Sequence, residues 1–125
     1  MLQIRKFVFN GFMVNTYVLW DETGEGIIVD AGCYDEKEHK EIGDFLSKEK
    51  VKLVRNINTH CHVDHIFGNG FISMAYGILP EYHRASVYFV IRAAEVATSF
   101  GFSLDAIPEP KRYLEDNEVI HFGNS

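Results

Sequence analysis

The sequence predicts an α/β fold, one mainly antiparallel or mixed sheet with helices against it, on three observations. Short runs rich in β-branched and aromatic residues fall at 2–9, 13–20, 27–29 and 51–58. Stretches at 35–50 and 84–100 repeat apolar residues at helical spacing. Of the 125 residues, 46% are hydrophobic and 14% aromatic, which suits one globular domain over 1–125 with a modest core rather than a disordered chain.

Leu2, Ile4, Phe7 and Phe9 build the first strand, and Asn10-Gly11 is a turn signal that ends it. Val14 to Trp20 builds the second, and the polar 21–26 segment is a hairpin connection. Ile27-Ile28-Val29 is fully apolar, as a strand buried on both faces is. It runs into Asp30-Ala31-Gly32, which by itself reads as an ordinary turn. A helix over 35–50 begins near Asp35, with acidic residues in its first turn and Ile42, Phe45 and Leu46 as its apolar stripe. His39 lies among its charged residues and reads as exposed. Val51, Leu53, Val54 and Ile57 make the next strand. Residues 66–76 read as a helix that Gly77 ends. Ile78 to Tyr82 is short and extended, with Pro80 marking a sheet edge or a strand margin. In the 84–100 helix, Val87, Val90, Ile91, Ala94 and Ala97 are assigned to the buried face. Residues 102–110 are irregular, 113–117 read as a turn, and 118–122 as a final strand. His121, on that strand, reads as structural or exposed.

Charge and composition exclude several functions. The net charge is −6 and no Lys/Arg cluster occurs, which disfavours a nucleic-acid partner and a polybasic membrane anchor. No apolar run approaches membrane-spanning length. The amino terminus lacks a signal-peptide core. Cys33 and Cys61 do not make a disulfide framework, so a reducing cytoplasm is the expected location. Cys33 reads as a buried, inert thiol.

The chemistry concentrates in one stretch. His60, His62, Asp64 and His65 put three imidazoles and a carboxylate within six positions. Both groups bind divalent first-row metals. On extended backbone, His60, His62 and Asp64 would point the same way, with His65 pointing elsewhere, as a ligand to an adjacent second ion would. A helix could begin at Asp64, whose carboxylate would cap its free N–H groups. Cys61 alternates away from the ions, with thiolate ligation as the less favoured alternative. The loop leaves the carboxyl end of strand 51–58, where ligands gather in open α/β sheets.

Thr59-His60-Cys61-His62-Val63-Asp64-His65 resembles the Thr-His-x-His-x-Asp-His signature of the metallo-β-lactamase superfamily. Ile66-Phe67-Gly68-Asn69 resembles the Gly-Asn continuation of its glyoxalase II-like hydrolases. The resemblance implies an αββα sandwich, of which this chain supplies about the first half, as a truncated domain. The Pro-Gly-His stretch, bridging aspartate and final histidine that supply further ligands in that family do not occur here. Two divalent metal ions are implied, zinc first, with iron or manganese as alternatives. His60 and His62 would take one ion and Asp64 and His65 the other, activating water. Asp64 would also orient the nucleophile or shuttle its proton. Asp30 acquires a supporting role behind the loop. His83, at a strand end, is weighed as a supporting or structural histidine rather than a ligand. Phe100, Phe102 and Ile107 are pocket candidates or core. The implied substrate is a small thioester or ester. The competing reading is a non-catalytic binding or assembly module. Half a sandwich would leave an apolar sheet face and a strand edge unpaired, so a homo-oligomer is expected.

Overall fold

The computed structural model describes residues 1–104 and 107–125; the middle of the expected irregular segment 102–110 lies outside the described residues. The strands are β1 (Gln3–Phe9), β2 (Val14–Trp20), β3 (Glu25–Val29), β4 (Lys52–Ile57), β5 (Pro80–His83) and β6 (Arg112–Leu114). They form one mixed sheet in sequence order. β1, β2 and β3 are antiparallel neighbours. β3, β4, β5 and β6 run parallel. The helices are α1 (Glu36–Lys48), α2 (Val63–Ile66), α3 (Asn69–Tyr76) and α4 (Val87–Ser99), with a 3-10 turn at Arg84–Ser86.

The local sequence accounts for these boundaries. Asn10 takes a left-handed φ of 55° in the β1–β2 turn, a conformation asparagine tolerates better than most residues. Asp35 caps α1 by accepting the Glu38 N–H at 2.9 Å. Glu38 in turn accepts N–H groups from Tyr34 and Asn10, each at 2.8 Å, tying the helix start to the hairpin. Gly77, at φ 71°, ends α3.

One sheet face packs Phe7, Phe9, Val18, Trp20, Ile28 and Leu53 against Ile42 and Leu46 of α1 and Ile72 of α3. Alternation places Ile27 on the opposite face, and a register shift that skips one residue of β4 between Leu53 and Arg55 brings Ile57 there too. There they pack with Phe122, flanked by Leu19, Val54 and Ile120. The carboxyl-terminal segment therefore covers part of the face expected to lie bare. It is fastened by Asp21, which accepts the Asn124 N–H at 2.7 Å and the Ser125 hydroxyl at 2.9 Å. The Thr23 hydroxyl and these groups hold the Asp21 carboxyl down at about 2.

Several expectations need correction. Residues 118–122 are not a strand; Ile120 and Phe122 pack on a face of the sheet instead of pairing with one of its edges. β6 begins just before the stretch 113–117 read as a turn and takes in its first two residues. The helix expected over 66–76 is two pieces, α2 and α3, and the one expected over 84–100 starts as a 3-10 turn. Pro80 opens β5 but not a sheet edge, because β5 lies between β4 and β6. On α4, Ala93 and Ala97 are the buried positions, whereas Ile91 is 77% exposed. Ala94 is also exposed. His39 is half-buried, with its ring stacked on Phe71 at 4.0 Å.

Glu81 is the most deeply buried charged side chain described, 1% exposed. Arg55 grips it with two bonds, at 2.6 and 3.0 Å, and Arg112 adds a third at 3.2 Å. Glu118 closes the network on Arg112 at 2.6 Å.

β1 is an open edge with Ile4 and Val8 exposed. Such an edge favours pairing with another chain. Light scattering at micromolar concentration is expected to give a dimer or larger species; a monodisperse monomer would contradict this.

Candidate metal centre

The centre lies where β4 ends beside β3. Thr59 to His62 extend beyond β4, and α2 begins directly afterwards with His62 at its N-cap. Asp64 is therefore in the first helical turn, not on the extended run. The His62 side chain makes no cap bond, and the Asp64 carboxylate lies 3.6 Å from His65 Nε2 instead of capping α2. The turn of helix also swings His65 back toward the cluster. Its ring centroid is 4.0 Å from that of His60, which is 4.7 Å from that of His62. The four side chains foreseen as ligands thus form one group, although His65 does not point elsewhere.

Asp30 organises two of them. It sits just past β3 at φ 54°, and its carboxylate accepts the Thr59 N–H at 2.8 Å and the Thr59 hydroxyl at 2.6 Å. His65 Nδ1 lies 3.1 Å from Asp30 Oδ2, an ionic contact whose N–H direction falls short of a well-aligned hydrogen bond. The proton positions follow from these contacts. A carboxylate only accepts, so His65 Nδ1 carries hydrogen. The Thr59 hydroxyl has one hydrogen, directed at Asp30, so His60 Nδ1, 3.1 Å from that oxygen, must also be the donor. Both rings then present an unprotonated Nε2, the form that ligates metals.

The electrostatics are consistent with this arrangement. Burial, then repulsion by His65 and His62, pushes His60 below the ordinary histidine value and favours its neutral form. The Asp30 contact raises His65. Burial alone would raise Asp30, but His65 and Thr59 outweigh it and hold the carboxyl low. Burial pushes Cys61 up to about 12, with Ser86 as its hydrogen-bond partner, so it remains a thiol. Cys33 likewise rises to about 12 by burial.

A frame of amides fixes the loop. Asn10 Nδ2 donates to the carbonyls of Gly32 and Asp64, at 2.9 and 3.0 Å. Asn58 Nδ2 donates to the His65 carbonyl at 3.2 Å. Asn69 joins Asn58 to Asn56 through bonds of 3.0 and 3.1 Å. Composition does not mark these amides as supports, since their partners are distant in sequence; Asn10 had read only as a turn residue. Gly68 is required by close approach: a Cβ there would lie 2.5 Å from Cys33 Sγ and 2.6 Å from the Ala31 carbonyl oxygen. Gly68→Ala is expected to cost about 1–3 kcal/mol through overpacking, measured by urea unfolding.

The other candidates lie apart. His83 accepts the Ala85 N–H at 3.0 Å and faces Asp116 at 3.3 Å, with no contact to the cluster among the described residues. His121 is exposed. Phe100 lines a groove that begins at the cluster. Phe102 packs on Phe12, Tyr34 and Phe67, and Ile107 lies by other hollows.

Imidazole and carboxylate suit zinc, iron or manganese, so the donor chemistry fits a cation centre. Among the described residues, no three donors converge around one point. A catalytic zinc usually takes three protein ligands.

A sequence model of the metallo-beta-lactamase superfamily matches residues 9–124. The chain belongs to the metallo-β-lactamase superfamily. Members of this superfamily are in general metal-dependent hydrolases. An uncharacterized protein of Aquifex aeolicus (strain VF5) is 32% identical over 114 residues, 89% of this chain and 50% of that protein. Solved structures that share the fold include the following two. BLEG-1 B3 metallo-beta-lactamase has a TM-score of 0.81 and 18% identity, over 97% of this chain and 57% of that one. TTHA1623, in a di-iron-bound form, has a TM-score of 0.80 and 20% identity, over 93% of this chain and 56% of that one. The chain therefore spans about half the length of the relatives it matches. No helix among the described residues is long and apolar enough to cross a membrane.

Proposed function

We propose that the protein is a metal-dependent hydrolase of thioesters or esters, similar to the hydroxyacylglutathione hydrolases. The observation that carries this is the grouping of His60, His62, Asp64 and His65 with Asp30 behind them. His60 and His62 would hold one cation, and Asp64 and His65 a second. When bound, such cations supply a water of lowered pKa and polarise a carbonyl. Asp30 holds His65, and through Thr59 His60, in the tautomer that leaves Nε2 free. Asp64, 22% exposed, would take or return a proton at its carboxylate. Cys61 stays protonated and contributes no nucleophile. Further ligands would come from outside these residues. The Gly68-Asn69 continuation favours the thioesterase branch.

The test is hydrolysis by protein reconstituted with zinc, iron or manganese. Cleavage of thioesters and aryl esters is expected, and the His62→Ala, Asp64→Asn double variant should lose on the order of 10²-fold or more in rate. Phosphodiester cleavage without thioester cleavage would overturn the substrate class. Among the described residues no three donors converge around one point, which favours a second reading, a non-catalytic binding or assembly module. Bound cations with no hydrolysis of any class would favour it.

A further inference from the structure

The large apolar side chains of α4 are on the wrong face for a core. The helix buries Ala93 and Ala97, while Tyr88, Phe89, Val96 and Phe100 remain exposed. Phe89, Arg92, Val96 and Phe100 follow one helical stripe, spaced by three or four residues. They border a groove of roughly 480 Å³ that Phe12 of the β1–β2 turn also lines. At 1.5 Å per residue, the stripe is about 16 Å long. One end is the metal loop: His62 and Asp64 line the groove, and the His62 ring meets Phe89 edge to face at 4.8 Å. The other end is an aromatic corner, where Phe12 meets Phe100 at 5.3 Å.

Among the described residues, Arg92 is the one Lys or Arg side chain lining this groove. Its guanidinium lies 4.6 Å from the Tyr88 ring centre. No carboxylate among the described residues pairs with it, although the chain is acidic overall. Stacking satisfies the guanidinium plane and leaves its N–H edge available for an anion. An apolar trough with one convergent cation is the usual composition of a small-molecule site.

We propose that this groove binds the acyl part of the substrate: an aliphatic or aromatic chain along Phe89, Val96 and Phe100 that carries an anionic group for Arg92. This rests on the hydrolase reading only in placing the reacting carbonyl at the His62 end. Arg92 and Val96 then set specificity without touching the reacting atoms. The ligand class is amphiphilic and anionic, so a medium-chain carboxylate is a minimal probe.

The experiment is binding in metal-free protein, by calorimetry and by chemical-shift changes, with octanoate, 1-octanol and octylammonium. Octanoate is expected to bind about tenfold more tightly than 1-octanol, as one charge-assisted contact allows. Octylammonium is expected to bind most weakly. Arg92→Gln should reduce octanoate to the 1-octanol level. Val96→Glu, which sets a carboxylate four residues from Arg92, should abolish octanoate binding. Circular dichroism of both variants, whose sites are exposed, checks that they fold. Equal affinity for octanoate and 1-octanol, or octanoate binding that survives Val96→Glu, would overturn the proposal. So would a dimer that Val96→Glu dissociates while octanoate leaves it intact, since the groove would then be a contact between copies. Octanoate binding as expected, with no ester or thioester hydrolysis after metal loading, would uphold the groove and overturn the hydrolase reading.

Discussion

Replacing Glu81 with glutamine is expected to lower the unfolding free energy by about 3 kcal/mol, the lower end of what is lost when one partner of a buried ion pair is removed. Glutamine keeps the shape but not the charge. Arg55, 19% exposed, would then face only Glu118 at 3.9 Å. By contrast, the exposed Lys40–Asp44 pair on α1, at 2.6 Å, should contribute under about 0.5 kcal/mol, so Lys40→Ala is the control. Urea unfolding measures both. The pH dependence has a definite sign. Burial would raise Glu81, but Arg55 and Arg112 outweigh it and hold the carboxyl below its ordinary 4.5. Its contribution is therefore complete above pH 4.5 and lost as the pH falls through the lower, folded value. The wild-type protein should lose more stability than the Glu81→Gln variant between pH 5 and pH 3. Parallel losses would remove Glu81 as the cause.

Asp30→Asn is expected to weaken cation binding about 10- to 100-fold, the usual loss when the partner behind a ligating histidine is removed. An amide cannot replace the carboxylate that accepts from both the Thr59 N–H and the Thr59 hydroxyl and lies against His65 Nδ1. The tautomer preferences of His60 and His65 should relax as well. Nitrogen shifts of the two imidazoles in metal-free protein read this directly: Nδ1–H in the wild type, a mixture in the variant. A variant with unchanged affinity and unchanged tautomers would mean that Asp30 only shapes the turn.

The sequence was most informative where local pattern and tertiary contact coincide. β1 and β2 were read from their β-branched and aromatic residues, and the sheet buries Phe7 and Phe9 with Ile42 and Leu46, whereas Leu2 and Ile4 stay exposed. α1 has an acidic start and a single stripe. α4 misled because it is apolar on more than one face. Periodicity detects a stripe but not whether small or large side chains meet the core, and here Ala93 and Ala97 do. Residues 118–122 have strand composition, yet Phe122 and Ile120 find burial on a sheet face instead of a strand partner. β6 is only three residues long, too short for alternation to register.

The site was legible in its ligand types and not in its supports. His60, His62, Asp64 and His65 stand close in sequence, so their proximity follows from the chain itself. The amide frame joins residues that are far apart, such as Asn10 and Asp64 or Asn56 and Asn69, and only the fold brings them together. The direction of His65 was misjudged because alternation was extended past His62 into what is helix.

The most direct test of the central claim is equilibrium dialysis against zinc, iron and manganese, followed by elemental analysis of the wild-type protein and the His62→Ala, Asp64→Asn double variant. Up to two equivalents per chain in the wild type, lost in the variant, is the predicted result. Equal uptake by both proteins, or none by the wild type at saturating metal, would contradict the assignment of this loop as a cation pair site.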